Sequence, residues 1–298
     1  MTARHATAPE TLAKRFRQRL RDREVVTACF IKTPAFQHVE IAGASGLDAV
    51  VLDTEHASFD PSQLDVCLLA ARASGTAGLV RLADQRAETA LQALDLGAAG
   101  VVVPHVRDAA TARAVVAMCR YGDGDRGFSN PPPAGGYGAV GMADHVAASD
   151  DAVSVICQIE DASAIEHVAE IAAVPGVDCL FIGRADLALS YGVTELDHPL
   201  VDAAITTIIE AGQAAGVATG IFLADDTAVD SYARRGVSCF VIGSDQSWLR
   251  SAATQLADRQ SRVVANATMR PANLAIPSDH PLNTTMDMAS SVTLWRQL

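Results

Sequence analysis

Eight strand-length apolar runs recur along the 298-residue chain, with helix-length segments between most of them. They are Val26–Phe30, Ala49–Asp53, Gly78–Leu82, Gly100–Pro104, Val153–Ile159, Cys179–Ile182, Ala218–Phe222 and Cys239–Gly243. Several are apolar at consecutive positions, the pattern of parallel strands buried on both faces. Helical periodicity covers Ser62–Ala73, Arg86–Leu96, Ala109–Tyr121, Ser163–Ala173, Leu200–Ala215 and Thr227–Arg235. Glycines stand where helices should stop, at Gly46, Gly75, Gly97, Gly176, Gly216 and Gly236. Eight strand–helix units in about 240 residues predict an α/β fold closed as a (β/α)8 TIM barrel. The competing open doubly wound sheet would place a glycine-rich fingerprint after its first strand. Cys29-Phe-Ile-Lys-Thr33 has no glycine.

In such a barrel the carboxyl ends of the strands carry the chemistry. Here those ends are polar: Asp53-Thr-Glu-His56, Arg81, Glu160 and Asp186. An ionised carboxylate at the end of a buried strand is costly unless a cation meets it. Glu160 and Asp186, on successive strands, therefore predict one shared hard cation such as Mg²⁺ or Mn²⁺, with Co²⁺ a further candidate. Taken alone, either acid reads equally well as a helix N-cap or a surface carboxylate. His56 is the natural general base, with Asp95 or Asp53 as a partner for its second ring nitrogen. Arg81, the only charge in its run, would face a developing oxyanion, or else pair structurally with an acid. Gln158 precedes Glu160 by two residues and so shares its strand face. Gly183-Arg-Ala-Asp186 offers backbone N–H groups as a carboxylate seat. His105, ending the fourth run, can line the same mouth.

The formal charge of −12, from 23 basic and 35 acidic residues, comes with no basic stripe, which argues against a nucleic-acid or membrane-surface partner. No apolar stretch approaches the ~20 residues of a membrane-spanning helix. The N-terminal run Lys14-Arg15-Phe-Arg17-Gln-Arg19-Leu-Arg21 reads as a solvated amphipathic helix, since Glu10, Asp22 and Glu24 interrupt its charge. The six cysteines show no close pairing and read as buried thiols of a reducing, cytoplasmic compartment. Two segments fall outside the repeat. Gly122–Asp150, rich in Gly and Pro, reads as a lid or a subunit-contact loop. The polar tail from about Asn266 reads as a mobile or subunit-contacting extension. The whole is one domain, with a barrel core over 25–262 and a C-terminal extension over 263–298.

A metal, a base and an arginine around a carboxylate seat suit a 2-oxo acid, whose carboxylate and keto oxygens chelate the cation while an enolate forms at C3. A Schiff-base route needs a barrel lysine. The chain has only Lys14 and Lys32, and Lys32, just past the first run, is the sole candidate.

Asp53-Thr-Glu-His56, Arg81, Leu94-Asp95-Leu-Gly-Ala98, Val102-Val-Pro104, Arg120-Tyr121, Arg126-Gly127, Gln158-Ile-Glu160 and Phe181-Ile-Gly-Arg-Ala-Asp-Leu187 together resemble the HpcH/HpaI aldolases, from about Val25 to Ala257. The resemblance implies a (β/α)8 barrel, class II metal-dependent pyruvate-aldolase chemistry without an organic cofactor, and a homo-oligomer, a hexamer of domain-swapped dimers. His56 would accept the proton, Asp95 would raise its basicity, and Arg81 would stabilise the transition state. Glu160 and Asp186 would hold the metal, while Gln158 and the Ala185 backbone would contact substrate. Gly183 and Asp53 complete the expected binding surface. Arg184 stands where the family often has proline, beside the carboxylate seat, and is expected to recognise a second anionic group. The expected partners are a small 2-oxo acid and an aldehyde. Rival activities are an oxaloacetate decarboxylase, a CoA-ester lyase or a citrate-synthase-like condensing enzyme. A non-catalytic 2-oxo-acid-binding barrel is more remote.

Overall fold

The computed structural model describes residues 11–268, with side-chain environments to 262. Eight parallel strands close on themselves in the order β1-β2-β3-β4-β5-β6-β7-β8. They are β1 Val26–Ile31, β2 Ala49–Asp53, β3 Ala77–Arg81, β4 Gly100–Val103, β5 Ser154–Ile159, β6 Cys179–Ile182, β7 Ala218–Leu223 and β8 Cys239–Ser244. The helices are α1 Leu12–Arg21, α2 Phe36–Ala44, α3 Pro61–Ser74, α4 Ala87–Asp95, α5 Ala109–Met118, α6 Met142–Ala152, α7 Val168–Ala172, α8 Arg184–Ser190, α9 Pro199–Ala215, α10 Val229–Arg235 and α11 Asp245–Thr268. The barrel expected from the sequence is therefore the fold. The chain divides into two compact units, residues 1–252 and 253–298; the described part of the second is helical. Most of the expected C-terminal extension lies outside the described residues. Among them, no helix is long and apolar enough to cross a membrane.

Local chemistry sets the ends of the elements. Asp60 and Gln63 form a reciprocal capping box at the start of α3, with Pro61 in its first turn. Gly75 and Gly216 end α3 and α9 in the left-handed region, at φ 77° and 71°, where a side chain would be strained. Two departures from expectation are local. Residues 162–172 begin as a 3₁₀ turn before α7, and the segment read as a loop contains α6.

Strand alternation divides the core in two. One set, including Cys29, Leu52, Val80, Val103, Ile159, Leu180 and Phe240, packs with the helices. The other, including Ala28, Phe30, Val51, Leu79, Ile156, Phe181 and Val241, fills the barrel interior. Phe16 and Leu20 of α1 join this second set, so the N-terminal helix turns an apolar stripe onto the interior cluster. Arg17 anchors it: its Nε donates to both Asp178 oxygens at 3.0 Å, and its Nη1 donates to the Asp150 carbonyl at 2.7 Å. The six cysteines are all buried and free, as their spacing implied.

Candidate active site

Inward residues occur every second position, and the same period carried toward the carboxyl pole brings Asp53, Arg81, Gln158 and Glu160 onto the interior face. Asp53 pairs with Arg81 across the β2–β3 ladder. Arg81 donates to Asp53 twice, from Nε at 3.0 Å and from Nη2 at 2.7 Å. The guanidinium also lies 4.5 Å from the Phe30 ring centroid, a cation–π contact that fixes its plane. The backbone N–H groups of Glu55 and His56 donate to Asp53 Oδ1 at 3.3 and 3.1 Å. Burial alone would push the Asp53 carboxyl up; the Arg81 hydrogen bonds and charge, with the His56 N–H and Lys32, outweigh it and hold it below its usual range.

Glu160 is buried one residue past β5. Its Oε1 accepts the His105 N–H at 2.9 Å, and its Oε2 accepts from the Gln158 side chain. Among the described residues no lysine or arginine stands within ion-pair distance of it; the His105 ring is its neighbour, at 3.3 Å. Glu55, His105 and Glu160 each place a ligand atom so that the three lie within 4.8 Å of one another. Glu55 also sits 3.3 Å from Arg81 Nη1, at ion-pair distance but without hydrogen-bond geometry. Burial, reinforced by Glu160 and Asp53, raises the Glu55 carboxyl against the opposing pull of Arg81 and His56. Two carboxylates with a nitrogen donor, of which Glu160 meets no lysine or arginine among the described residues, form a donor set suited to a divalent ion.

His105 holds a left-handed backbone at φ 55°, a conformation that costs a non-glycine residue about 1–3 kcal/mol. It persists because its surroundings over-determine it. Besides the N–H bond to Glu160, its carbonyl accepts from Gln85 at 2.9 Å, and its Nδ1 lies 3.0 Å from Asp161 Oδ2. Burial would lower the ring's pKa; the Asp161 hydrogen bond and the charges of Glu160, Asp161 and Glu55 raise it overall.

The remaining expected residues fall as follows. His56 is half exposed at the mouth, its Nε2 3.8 Å from Glu55 Oε2. Gly183, the N-cap of α8, lies so close to Glu160 that an added Cβ would meet Oε2 at 2.7 Å and the Glu160 Cβ at 2.8 Å. Ala185 and Asp186 follow in the first turn of α8. Asp186 is partly buried and is not a member of the Glu55, His105 and Glu160 group. Arg184 turns to α10, where its Nη1 donates to the Tyr232 hydroxyl at 3.2 Å. Asp95 ends α4, the helix that descends to the start of β4, and its carboxylate accepts from Arg126 at 3.0 Å. It thus lies at the amino pole of the barrel, opposite His56, and the structure does not bring the two together within one chain. The expected lid segment packs there as well: Pro133, Ala134 and His145 line a 330 Å³ cavity with Ala77 and Gly78 at the start of β3.

Sequence reading places His105 at the mouth without a role and gives none to Glu55 or Asp245. Glu55 stands hidden between Asp53 and His56. Asp245 directly follows β8 and accepts from the Lys32 and Thr33 N–H groups at 2.8 and 3.0 Å, with His38 Nδ1 at 2.7 Å. A carboxylate directly after a strand was the very signal that singled out Glu160. It was missed because Ser244 was not recognised as the end of the eighth strand.

Comparison with known proteins follows the same lines. A family model for HpcH/HpaI aldolase/citrate lyase matches residues 27–252. The chain is 33% identical to 5-keto-4-deoxy-D-glucarate aldolase of Shigella boydii serotype 18, over 82% of this chain and 95% of that protein. It is 30% identical to hydroxypyruvate/pyruvate aldolase of Paraburkholderia phytofirmans, over 82% of this chain and 96% of that one. The crystal structure of an HpcH/HpaI aldolase/citrate lyase family protein from Burkholderia cenocepacia J2315 superposes with a TM-score of 0.80 at 32% identity, covering 83% of this chain and 99% of the other.

Proposed function

The chain belongs to the HpcH/HpaI aldolase/citrate lyase family, and on that premise we propose that this carbon–carbon lyase is a class II aldolase. It reversibly cleaves a 4-hydroxy-2-oxo acid to pyruvate, or a close 2-oxo acid, and an aldehyde. The observation that carries the reading is Glu160: a buried carboxylate at a strand end, close to Glu55 and His105, with no lysine or arginine among the described residues to neutralise it. Glu160 and Asp186 would hold a divalent cation, Mg²⁺, Mn²⁺ or Co²⁺, which would supply Lewis-acid polarisation of the C2 carbonyl.

His56 takes the proton from the C4 hydroxyl as the C3–C4 bond breaks. The bonding pair moves onto C3 and the C2 oxygen, and the aldehyde leaves. The Arg81 guanidinium, held in plane by Asp53 and Phe30, opposes the charge that grows on oxygen. A proton then returns to C3 and pyruvate is complete. Gln158, Gly183 and the Ala185 backbone line the seat of the 2-oxo acid, and the smallness of Gly183 leaves room beside Glu160.

Replacing Glu160 with Gln, or Asp186 with Asn, should abolish Mn²⁺ binding in a calorimetric titration and pyruvate release together. Pyruvate release by either variant at the wild-type rate in EDTA would refute the assignment.

A further inference from the structure

Lys32 follows β1 directly, one step past the Ile31–Leu52 pair, and so lies opposite Asp53 at the barrel mouth. Both ends of the residue are held. Its backbone N–H is clasped by Asp245 at 2.8 Å, and its Nζ sits 3.4 Å from Asp53 Oδ2. Asp53 does not need it. That carboxylate already takes two Arg81 bonds and two backbone N–H groups, so the Lys32 contact is its longest and adds a second cation to one anion. An ammonium has three donors, and the Lys32 side chain is 30% exposed, so donors remain for a ligand entering from solvent. Arg81 reaches from Asp53 to Glu55, and Glu55 belongs to the group around Glu160. Lys32 and Arg81 therefore share Asp53, and among the described residues no ion pair joins Lys32 to the carboxylates of that group.

We propose that Lys32 is a substrate-binding residue that receives an anionic group, a carboxylate or its like, on the aldehyde half of the substrate. This rests on the aldolase reading and adds the class of aldehyde to it. When the 2-oxo acid occupies the seat beside Glu160, the bond that forms or breaks points away from that seat, and the aldehyde's distal group reaches outward past Arg81. A neutral aldehyde leaves the spare donors of Lys32 to water. An anionic one exchanges that water for a charge-assisted hydrogen bond, in a place where Arg81 and Lys32 supply two cations.

The test pairs pyruvate with glyoxylate, an anionic two-carbon aldehyde, and with glycolaldehyde, its neutral counterpart. The readout is the ratio of kcat/KM for the two, which cancels damage common to both. Lys32→Met and Lys32→Gln should each lower that ratio by about 10- to 100-fold, the range of one charge-assisted hydrogen bond. Lys32→Arg should keep it within about threefold of wild type, since the charge is retained. An unchanged ratio in the Met and Gln variants overturns the proposal. Deuterium exchange at C3 of pyruvate by the wild-type enzyme, without any aldehyde, reads the 2-oxo-acid half separately. Absence of exchange overturns the aldolase reading and this proposal with it, whereas exchange with an unchanged ratio overturns this proposal alone. Borohydride trapping of a pyruvate adduct on Lys32 also overturns it, because a lysine engaged as an imine has no ammonium to offer the acceptor.

Discussion

The Asp53–Arg81 pair shows how one residue governs others in this site. Removing the acid leaves a buried guanidinium with Glu55 as its remaining charge partner among the described residues, and such half-pairs cost about 3–5 kcal/mol. Asp53→Asn should therefore lower stability at pH 7 by about 3 kcal/mol in urea unfolding and cut kcat/KM by at least about 100-fold, as expected when a charge-stabilising group loses its aim. The sign of the pH dependence follows from the depressed carboxyl. Its contribution is present above the usual aspartate range near pH 4 and is lost as pH falls through the lower folded value, so the gap between wild type and variant should narrow in acid. A gap constant down to pH 2.5 would refute the assignment. His105 runs the other way. Its raised pKa favours the protonated ring in the folded protein, so that stability is complete below the usual imidazole value and is lost as pH climbs through the higher folded value. In metal-free protein, Asp161→Asn should lower the His105 pKa in an NMR titration of the ring protons; no shift would mean that Asp161 does not hold the ring. Asp53, Arg81, Gln158 and Glu160 were legible in the sequence because each extends a strand whose period fixes its direction. His105 was less so, because a left-handed residue breaks that period.

At the scale of elements, the site is a contact between β5 and the start of α8, made at Gly183. The sequence marked this glycine as part of a carboxylate seat, but its closeness to Glu160 comes from packing, which periodicity does not report. Gly183→Ala would force its methyl group to within 2.7 Å of Glu160 Oε2, against a β5 fixed on both sides by β4 and β6. The carboxylate must swing and the Glu160 Cβ must also give way, so Mn²⁺ affinity measured by calorimetry should fall by at least about tenfold, with some loss of melting temperature beside it. Unaltered affinity would show that Glu160 keeps its position independently of α8. Strand ends were read to within one or two residues because apolar runs stop where burial stops. Helix α6 was not, since Met-Ala-Asp-His-Val-Ala-Ala-Ser-Asp-Asp-Ala carries a weak apolar stripe and follows a Gly- and Pro-rich stretch. Its place comes from tertiary contacts: the Tyr121 hydroxyl at 3.2 Å from His145 Nε2, and the Arg126 bonds to Ser149 and Asp95.

At the scale of the whole molecule, the barrel separates two residues that the family resemblance couples. His56 projects beyond the carboxyl end of β2, whereas Asp95 closes α4 at the amino pole on Arg126. No rotamer change spans a barrel, so Asp95 can raise the basicity of His56 only across an interface, from one protomer to the mouth of another. A closed homo-oligomer with heterologous contacts permits that arrangement. The consequence is a complementation experiment. Asp95→Asn and His56→Ala subunits, each inactive alone, are co-expressed, and random pairing should restore about a quarter of the sites. The restored activity should share the pH profile of the wild type, because each working site again holds an intact base and its carboxylate. Mixed oligomers that stay inactive would refute action across an interface, and an Asp95→Asn enzyme active on its own would leave Asp95 only as the anchor of Arg126, the role its 3.0 Å ion pair already gives it within one chain.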